Sequence, residues 1–297
     1  MPINCSLCNE KADFLFKTKD WNRKVSNEMF TYWRCRNCEL IFLADIPDRL
    51  GDYYEDEYYQ IPSIEKLKKV AKAESYQLDM VQKFIKTGRL LEVGPGFGIF
   101  AHQAKQAGFE VDVIEMESRC CEYLSQEVGV NVFKSDSPHE VIEAMPRHDV
   151  IASWHVIEHL PNLWAFLESA ANNLVPGGIL LMATPNSAAF QLKILGSLWP
   201  HVDAPRHLWL IPANLLVKRL KPMGLEPVML SFDDKGAKSW NRFGWQRFLM
   251  NRFSNEWIQK MAFVLGYIIS LPMSFWETGR GNSSAYTIIF KKSLLAA

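Results

Sequence analysis

The 297-residue chain has no surplus of either charge: 33 Lys and Arg stand against 33 Asp and Glu. That balance lacks the basic bias by which general nucleic-acid binders hold phosphate, so nucleic acid is not the expected partner. The first ten residues, MPINCSLCNE, contain no apolar stretch of the signal-peptide kind. No run reads as the ~20 apolar residues of a membrane span. Cysteine is scarce, six residues in all, and four of them fall in two C-x-x-C pairs. Such pairs fit metal binding in a reducing, cytoplasmic compartment better than a disulfide framework.

What is present begins with those pairs. Cys5, Cys8, Cys35 and Cys38 offer four soft thiolates, with 26 residues between the pairs. Four thiolates at tetrahedral reach read as a structural zinc site, closed to substrate because protein fills every position. The gap exceeds the usual ~15–20 residues, so an extended hairpin is expected between the knuckles. A unit over residues 1–45 has little core, and a metal is what lets so small a unit fold. A connector over 46–86 follows, with Tyr53, Tyr54, Tyr58 and Tyr59 among acids and prolines. These rings either pack on the surface or cover a cleft. Residues 63–86 read as helical, with Val70, Leu78, Val81 and Phe84 on one face.

The remainder, 87–297, is organised around RLLEVGPGFGIFA at 89–101. Leu90, Leu91 and Val93 form a short buried-strand pattern, and Gly94, Gly96 and Gly98 follow at every second position. A helix is expected from Phe100 to Ala107. A strand passing through a glycine loop into a helix holds nucleotide-like ligands at the strand's carboxyl end. Glu92 would repel a pyrophosphate but suits a ligand bearing an ammonium group. Strand and helix then alternate, the pattern of a parallel sheet. The second strand, 109–114, ends at Glu115, 21 residues past Gly94, where an acid holds ribose hydroxyls in nucleotide folds. A helix over 118–126 capped by Ser118, a strand at 130–133, and Ser135-Asp136-Ser137 come next; Asp136 or Ser137 also suits the start of the Pro138 helix. Further strands are expected at 149–153, 179–183, 225–231 and 285–291. An irregular insertion lies at 188–210 and a second, helical one at 232–280. In the latter, Arg242, Arg247 and Arg252 share no helical face. Trp257, Ile258, Met261, Val264, Leu265, Ile268 and Ile269 do share one, and Pro272 is expected to end that helix. The apolar side of 256–271 reads either as a lid or packing helix or as a peripheral membrane contact.

Glu92-Val-Gly-Pro-Gly-Phe-Gly98 resembles the first motif of class I S-adenosylmethionine-dependent methyltransferases. Asp149-Val-Ile-x4-Val-x-Glu-His-Leu160 and Leu174-x-Pro-Gly-Gly-x-Leu-x3-Thr-Pro-Asn186 resemble later ones. The likeness covers about 86–231 plus the final strand. It implies an α/β, Rossmann-like, seven-stranded, mostly parallel sheet with helices on both faces and one strand reversed at the edge. It implies S-adenosylmethionine as cofactor, with Gly94, Pro95, Gly96 and Gly98 around its methionine portion and Glu115 and Met116 at the ribose. Asp136 and Ser137 would meet the adenine, and Trp154 and His155 would line the floor beneath the sulfonium. Quinone-pathway O-methyltransferases share the Glu-His pair and use that region for a metal. This chain has His155 where they carry an acid, so Glu158 and His159 read either as helix-entry groups or as direct participants. His155-Val-Ile-Glu-His159 also matches a zinc-protease pattern, but that pattern needs a helix interior and here follows a strand.

An acceptor hydroxyl needs a base, and a histidine near neutral pKa suits. His207 is the first candidate and His155 the second; burial as packed imidazoles is the alternative for both. The loop HVDAPRHL, 201–208, expected to form the acceptor pocket with the Trp-rich insertion after Phe232, adds Asp203 to orient a base and Arg206 to hold an acceptor phosphate or carboxylate. The expected acceptor is a small molecule or glycan, such as a sugar nucleotide or lipid-linked sugar. A quinone-pathway-like or RNA methyltransferase, and a cofactor-binding scaffold without turnover, remain as alternatives.

Overall fold

The computed structural model describes residues 3–54, 60–278 and 281–294. The amino-terminal hairpin consists of β1 (Ile3–Asn4), β2 (Lys11–Thr18), β3 (Phe30–Cys35) and β4 (Ile41–Leu43). Two helices, α1 (Ile64–Ala73) and α2 (Tyr76–Gln82), lead into the main unit. The single helix expected over 63–86 is therefore broken at Glu74-Ser75. Of the expected stripe, Val81 is buried and Leu78 and Phe84 pack half-buried against the core, joined there by Leu67, Ala71 and Met80.

Strands and helices then alternate: β5 (Arg89–Val93), α3 (Ile99–Gln106), β6 (Glu110–Glu115), α4 (Ser118–Tyr123), β7 (Asn131–Lys134), α5 (Pro138–Ala144), β8 (His148–Trp154), α6 (Leu163–Asn173) and β9 (Leu174–Pro185). Glu117 rather than Ser118 caps α4, its carboxylate accepting the Cys120 N–H at 2.7 Å. The insertion expected to be irregular contains α7 (Phe190–Leu195) and a two-residue strand, β10 (Trp209–Leu210). After it come α8 (Ala213–Leu220), β11 (Leu225–Ser231), α9 (Lys235–Met250), α10 (Glu256–Glu277) and β12 (Ala285–Lys292).

Seven strands form one sheet in the order β11-β12-β9-β8-β5-β6-β7, all parallel except β12. The reversed strand lies one place in from the edge, not at it. Its residues from Ala285 to Phe290 are buried on both faces, whereas β11 exposes Val228 and Leu230 and so takes the edge. Chain order turns back between β5 and β8. The carboxyl ends of those two strands open the crevice where an open α/β sheet holds its ligand.

The hairpin does not stand apart. Trp209 and Leu210 in β10 pair with Phe42 and Ile41 in β4, making the insertion the fifth strand of the amino-terminal sheet. One buried apolar cluster runs from Cys5 and Tyr32 through Leu208 to Leu180 in the central sheet. The two knuckles fold alike. Cys5 N–H reaches Glu10 O and Asn9 N–H reaches Cys5 O; Cys35 N–H reaches Leu40 O and Glu39 N–H reaches Cys35 O. Asn9 and Glu39 both take left-handed backbone, which turns each chain back toward its sulfurs.

Candidate functional site

A single cavity of about 1060 Å³ lies over the carboxyl ends of β5, β6 and β8. That exceeds what one small ligand fills, and its lining divides into two ends.

At one end is the glycine loop. Gly94 and Gly98 take left-handed φ of +68° and +81°. A Cβ at Gly94 would lie 2.4 Å from Val156, and one at Gly98 would lie 2.5 Å from Leu124. No side chain fits, so bare backbone faces the cavity. Glu115, at the end of β6, fastens this loop. Its carboxylate accepts the N–H of Gly96 at 3.0 Å, of Met116 at 2.8 Å and of Glu117 at 3.0 Å. These bonds leave acceptor capacity on Oε2, which meets only Gly96. Burial raises the Glu115 carboxyl despite those three donors. Glu92 is buried behind the loop with Oε2 unpartnered, and burial pushes its carboxyl up to about 8. A cation brought against Glu92 would favour its ionised form. Met116 and the exposed Asp136 mark the outer rim, where Ser137 Oγ donates to Asp136 at 3.1 Å. Trp154 forms the floor, edge-on to Phe100 at 5.5 Å.

The second end carries imidazoles. His155 leaves β8 in left-handed backbone, φ +56°, its N–H on Ala183 O at 2.8 Å. Its Nδ1 lies 3.6 Å from Glu158 Oε1, and its ring is 4.4 Å from Trp240 in α9. Glu158 is fully buried, with Oε2 accepting from Thr184 at 3.0 Å and Oε1 without a hydrogen bond. Burial opposes its charge, but the imidazoles of His155, His207 and His159 more than offset this and hold it low, at about 2. His159 and His207 meet edge to face at 4.5 Å. A carbonyl can only accept, so His207 Nδ1–H donates to His201 O at 2.8 Å, and His159 Nδ1–H donates to Arg206 O at 3.0 Å. Each ring thus keeps Nε2 as a free base in its neutral form. One donor atom from each of Glu158, His159 and His207 lies within 4.8 Å of the others, a carboxylate–imidazole set suited to a divalent cation.

The structure brings Gly94, Pro95, Gly96, Glu115, Met116, Asp136, Ser137, Trp154, His155 and His207 around one cavity; Glu92 and Gly98 lie behind its wall. Two expected roles are corrected. Arg206 cannot take an acceptor phosphate: it is fully buried, with NH2 2.7 Å from Asp20 and 2.8 Å from Asp203, and NH1 3.1 Å from Tyr53 O. Asp203 does not orient His207, because its carboxylate is held by Arg206 and by Asn22 at 2.6 Å; the His201 carbonyl performs that task. Of the connector tyrosines, Tyr54 does line the cavity, as do Trp240, Phe243 and Arg247 of the 232–280 insertion; the lining groups that sequence reading missed are Asn22 and Arg23. Tyr53 is buried and donates to Glu28 at 2.7 Å, while Tyr58 and Tyr59 lie outside the described residues.

At the far end of the amino-terminal hairpin, the Cys5–Cys38 and Cys8–Cys38 sulfurs are 3.8 Å apart and Cys8–Cys35 are 3.4 Å apart. A tetrahedral zinc with ~2.3 Å bonds sets its sulfurs about 3.8 Å apart. N–H groups of Leu7, Asn37 and Cys38 point at the Cys5 and Cys35 sulfurs at 3.4 Å, as thiolates require. The donor set fits the ion.

The methyltransferase domain family model matches residues 64–230, more than half of the chain. The chain belongs to that family. This methyltransferase-family protein is 32% identical over 113 residues to a ubiquinone biosynthesis O-methyltransferase of Paramagnetospirillum magneticum, covering 36% of this chain and 45% of that protein. It is 25% identical over 174 residues to a protein of the same name from Cereibacter sphaeroides, covering 55% and 68%. The match thus spans about half to two thirds of these relatives. A coclaurine N-methyltransferase bound to N-methylheliamine and S-adenosylhomocysteine superposes with a TM-score of 0.51 at 16% identity, covering 74% of this chain and 71% of that one. Its fold is that of the S-adenosylmethionine-dependent methyltransferases.

Proposed function

We propose that this protein methylates a hydroxyl group of a small-molecule acceptor, with His207 as the base. The cofactor supplies an electrophilic methyl on a sulfonium. Backbone of Gly94–Gly96 and the spare Oε2 acceptor of Glu115 would hold it and Trp154 and His155 would form its floor, with Glu92 buried behind the loop and not in the lining. The acceptor enters from the end lined by Tyr54, His207, Trp240 and Phe243. His207 Nε2 would take the proton of its hydroxyl, leaving the oxygen free to accept the methyl group that the cofactor would supply. Most of the rate gain comes from this alignment inside a walled cavity. Arg23 and Arg247 line the acceptor end and favour an acceptor with negative charge, the task expected of Arg206. The names of the relatives support an oxygen acceptor over a glycan carbon.

The observation that carries this reading is His207 itself, whose Nδ1–H is fixed on the His201 carbonyl while its ring lines the cavity. S-adenosylhomocysteine release would be measured with a panel of catechols and phenols, some carrying carboxylates. His207→Ala is expected to lower turnover by roughly 10²–10⁴ with cofactor affinity unchanged. Equal turnover in the variant would remove His207 as base. Cofactor binding without product from any acceptor would favour the scaffold alternative.

A further inference from the structure

We infer that α10 seats this protein on the surface of an anionic lipid bilayer, an inference independent of the acceptor. The helix runs through Pro272 to Glu277, so its 22 residues are long and apolar enough to cross a membrane, with an 18-residue window of mean hydropathy 1.3. The expected stop at Pro272 and the expected lack of any membrane-length apolar run are both corrected. Yet only 17% of its most apolar window is buried. From Met261 to Trp276 no side chain is charged.

The side packed on the protein is the least hydrophobic one. Ala262, Gly266 and Ser270 are buried along α9, and a Cβ on Gly266 would lie 2.5 Å from Gln246 Cα. The expected apolar face, with Trp257 (76% exposed), Met261 (72%), Val264 (57%) and Ile268 (54%), points outward, joined by Leu271 and Phe275. At 3.6 residues per turn, apolar side chains cover roughly 220° of the circumference outside the packed stripe. A second copy packed helix on helix would cover a stripe about 100° wide and leave the rest in water. Lipid wets the whole arc.

Charge selects the kind of lipid. Residues 235–278 hold six Lys and Arg, five of them besides the cavity-lining Arg247, against two Asp and Glu, in a chain that is balanced overall. One of the two acids, Glu277, is buried, accepting from Gln191 at 2.7 Å and Trp245 at 2.9 Å. Three of the cations lie over rings of the same hairpin: Arg242 over Tyr267 at 5.1 Å, Lys260 over Trp257 at 5.2 Å and Arg252 over Phe248 at 4.6 Å. Aromatic rings paired with basic side chains are the composition of a membrane–water interface. Because Glu277 and the small-residue stripe fix α10 along α9, the helix lies in the interface and does not span it. The other side of α9 carries Trp240, Phe243 and Arg247 into the cavity, so a lipid-dissolved acceptor would arrive beside its entrance.

The test is co-sedimentation of the full chain with vesicles of phosphatidylcholine alone and of phosphatidylcholine with phosphatidylglycerol at 3:1. The wild type is expected to partition onto the anionic vesicles more tightly than onto neutral ones, and less so as salt rises. Val264→Glu combined with Ile268→Glu should weaken partitioning by about 100-fold or more, since each withheld side chain is worth about tenfold. Unchanged S-adenosylmethionine affinity in the double variant verifies its fold. A wild type that stays in the supernatant with both vesicles overturns the proposal, as does a double variant that binds like the wild type. A dimer in light scattering that the double variant dissolves, without vesicle binding, overturns it in favour of a second copy.

Discussion

The two ends of the cavity are built in opposite ways. The glycine-loop end is built mainly on one continuous stretch, Leu90 to Met116, with Asp136, Ser137 and Trp154 added from the following strands, and its loop is fastened by hydrogen bonds within that stretch such as Gly96 N–H to Glu115. The imidazole end is assembled from separate segments, the hairpin lying more than 150 residues before the 200–208 loop. Tyr32 Oη donates to His207 O at 2.7 Å, Leu208 N–H to Glu158 O at 2.8 Å, and Leu43 N–H to Leu208 O at 2.9 Å. Arg206, buried between Asp20 of the hairpin and Asp203 of the loop, locks them together. A local scaffold keeps its shape on its own; a tertiary one keeps it only while its buried charges stay matched.

Removing Arg206 should break this comparison most sharply. Arg206→Met leaves Asp20 and Asp203 buried without their cation, a cost on the order of 3–5 kcal/mol. Thermal melting should fall and turnover should be lost, while calorimetry with S-adenosylmethionine shows near-normal affinity wherever the variant is folded. A parallel fall in cofactor affinity would mean that the two ends form one cooperative unit. Stripping metal from Cys5, Cys8, Cys35 and Cys38 should act in the same direction, because the hairpin carries Asp20 and Tyr32. Metal analysis of protein purified without added zinc should return one ion per chain.

Glu115→Ala strikes the other end. It removes the anchor of three backbone N–H groups together with an acceptor for the ribose, at about 2–4 kcal/mol of cofactor affinity. The imidazole end should keep its hydrogen-exchange protection. Loss of protection at 200–210 in this variant would show that the glycine loop supports the far end as well.

This contrast also explains what could be read in advance. The Gly94–Gly98 spacing, Glu115 at the strand end and the paired knuckles are local patterns, and the seven-stranded fold is what the resemblance those motifs carry implies. Asp203 and Arg206 looked like site groups because they sit beside His207 in sequence. The second partner of Arg206, Asp20, is 186 residues away and no spacing points to it. The pairing of Trp209 and Leu210 with β4 is invisible for the same reason. In α10 the apolar period was legible, but period alone does not say which side meets protein. Ala262 and Gly266 allow a closer approach than Ile or Val, so the weakly apolar stripe took the contact.

The smallest effect concerns acid. His201 is fully buried with Nε2–H on Trp240 O at 3.0 Å, and burial lowers it to about 3; burial and the neighbouring His207 lower His159 to about 4. In the unfolded chain both titrate near ~6.5. Between those limits the unfolded state binds more protons than the folded one, so stability rises with pH and is lost as pH falls below 6.5. Glu158 adds to the loss only further down, as pH drops through the ordinary Glu range toward about 2, where its folded form finally protonates. Both imidazoles belong to the imidazole end and none of this depends on the glycine loop. Amide exchange at 200–208 should therefore speed up between pH 6.5 and 4.5 by the equivalent of about 1–3 kcal/mol, after correction for intrinsic rates. Exchange at 90–98 should change little over the same range. His201→Gln, which can still donate to the Trp240 carbonyl without titrating, should flatten part of the slope at 200–208. An identical slope in that variant would show that His201 is already solvated in the folded state.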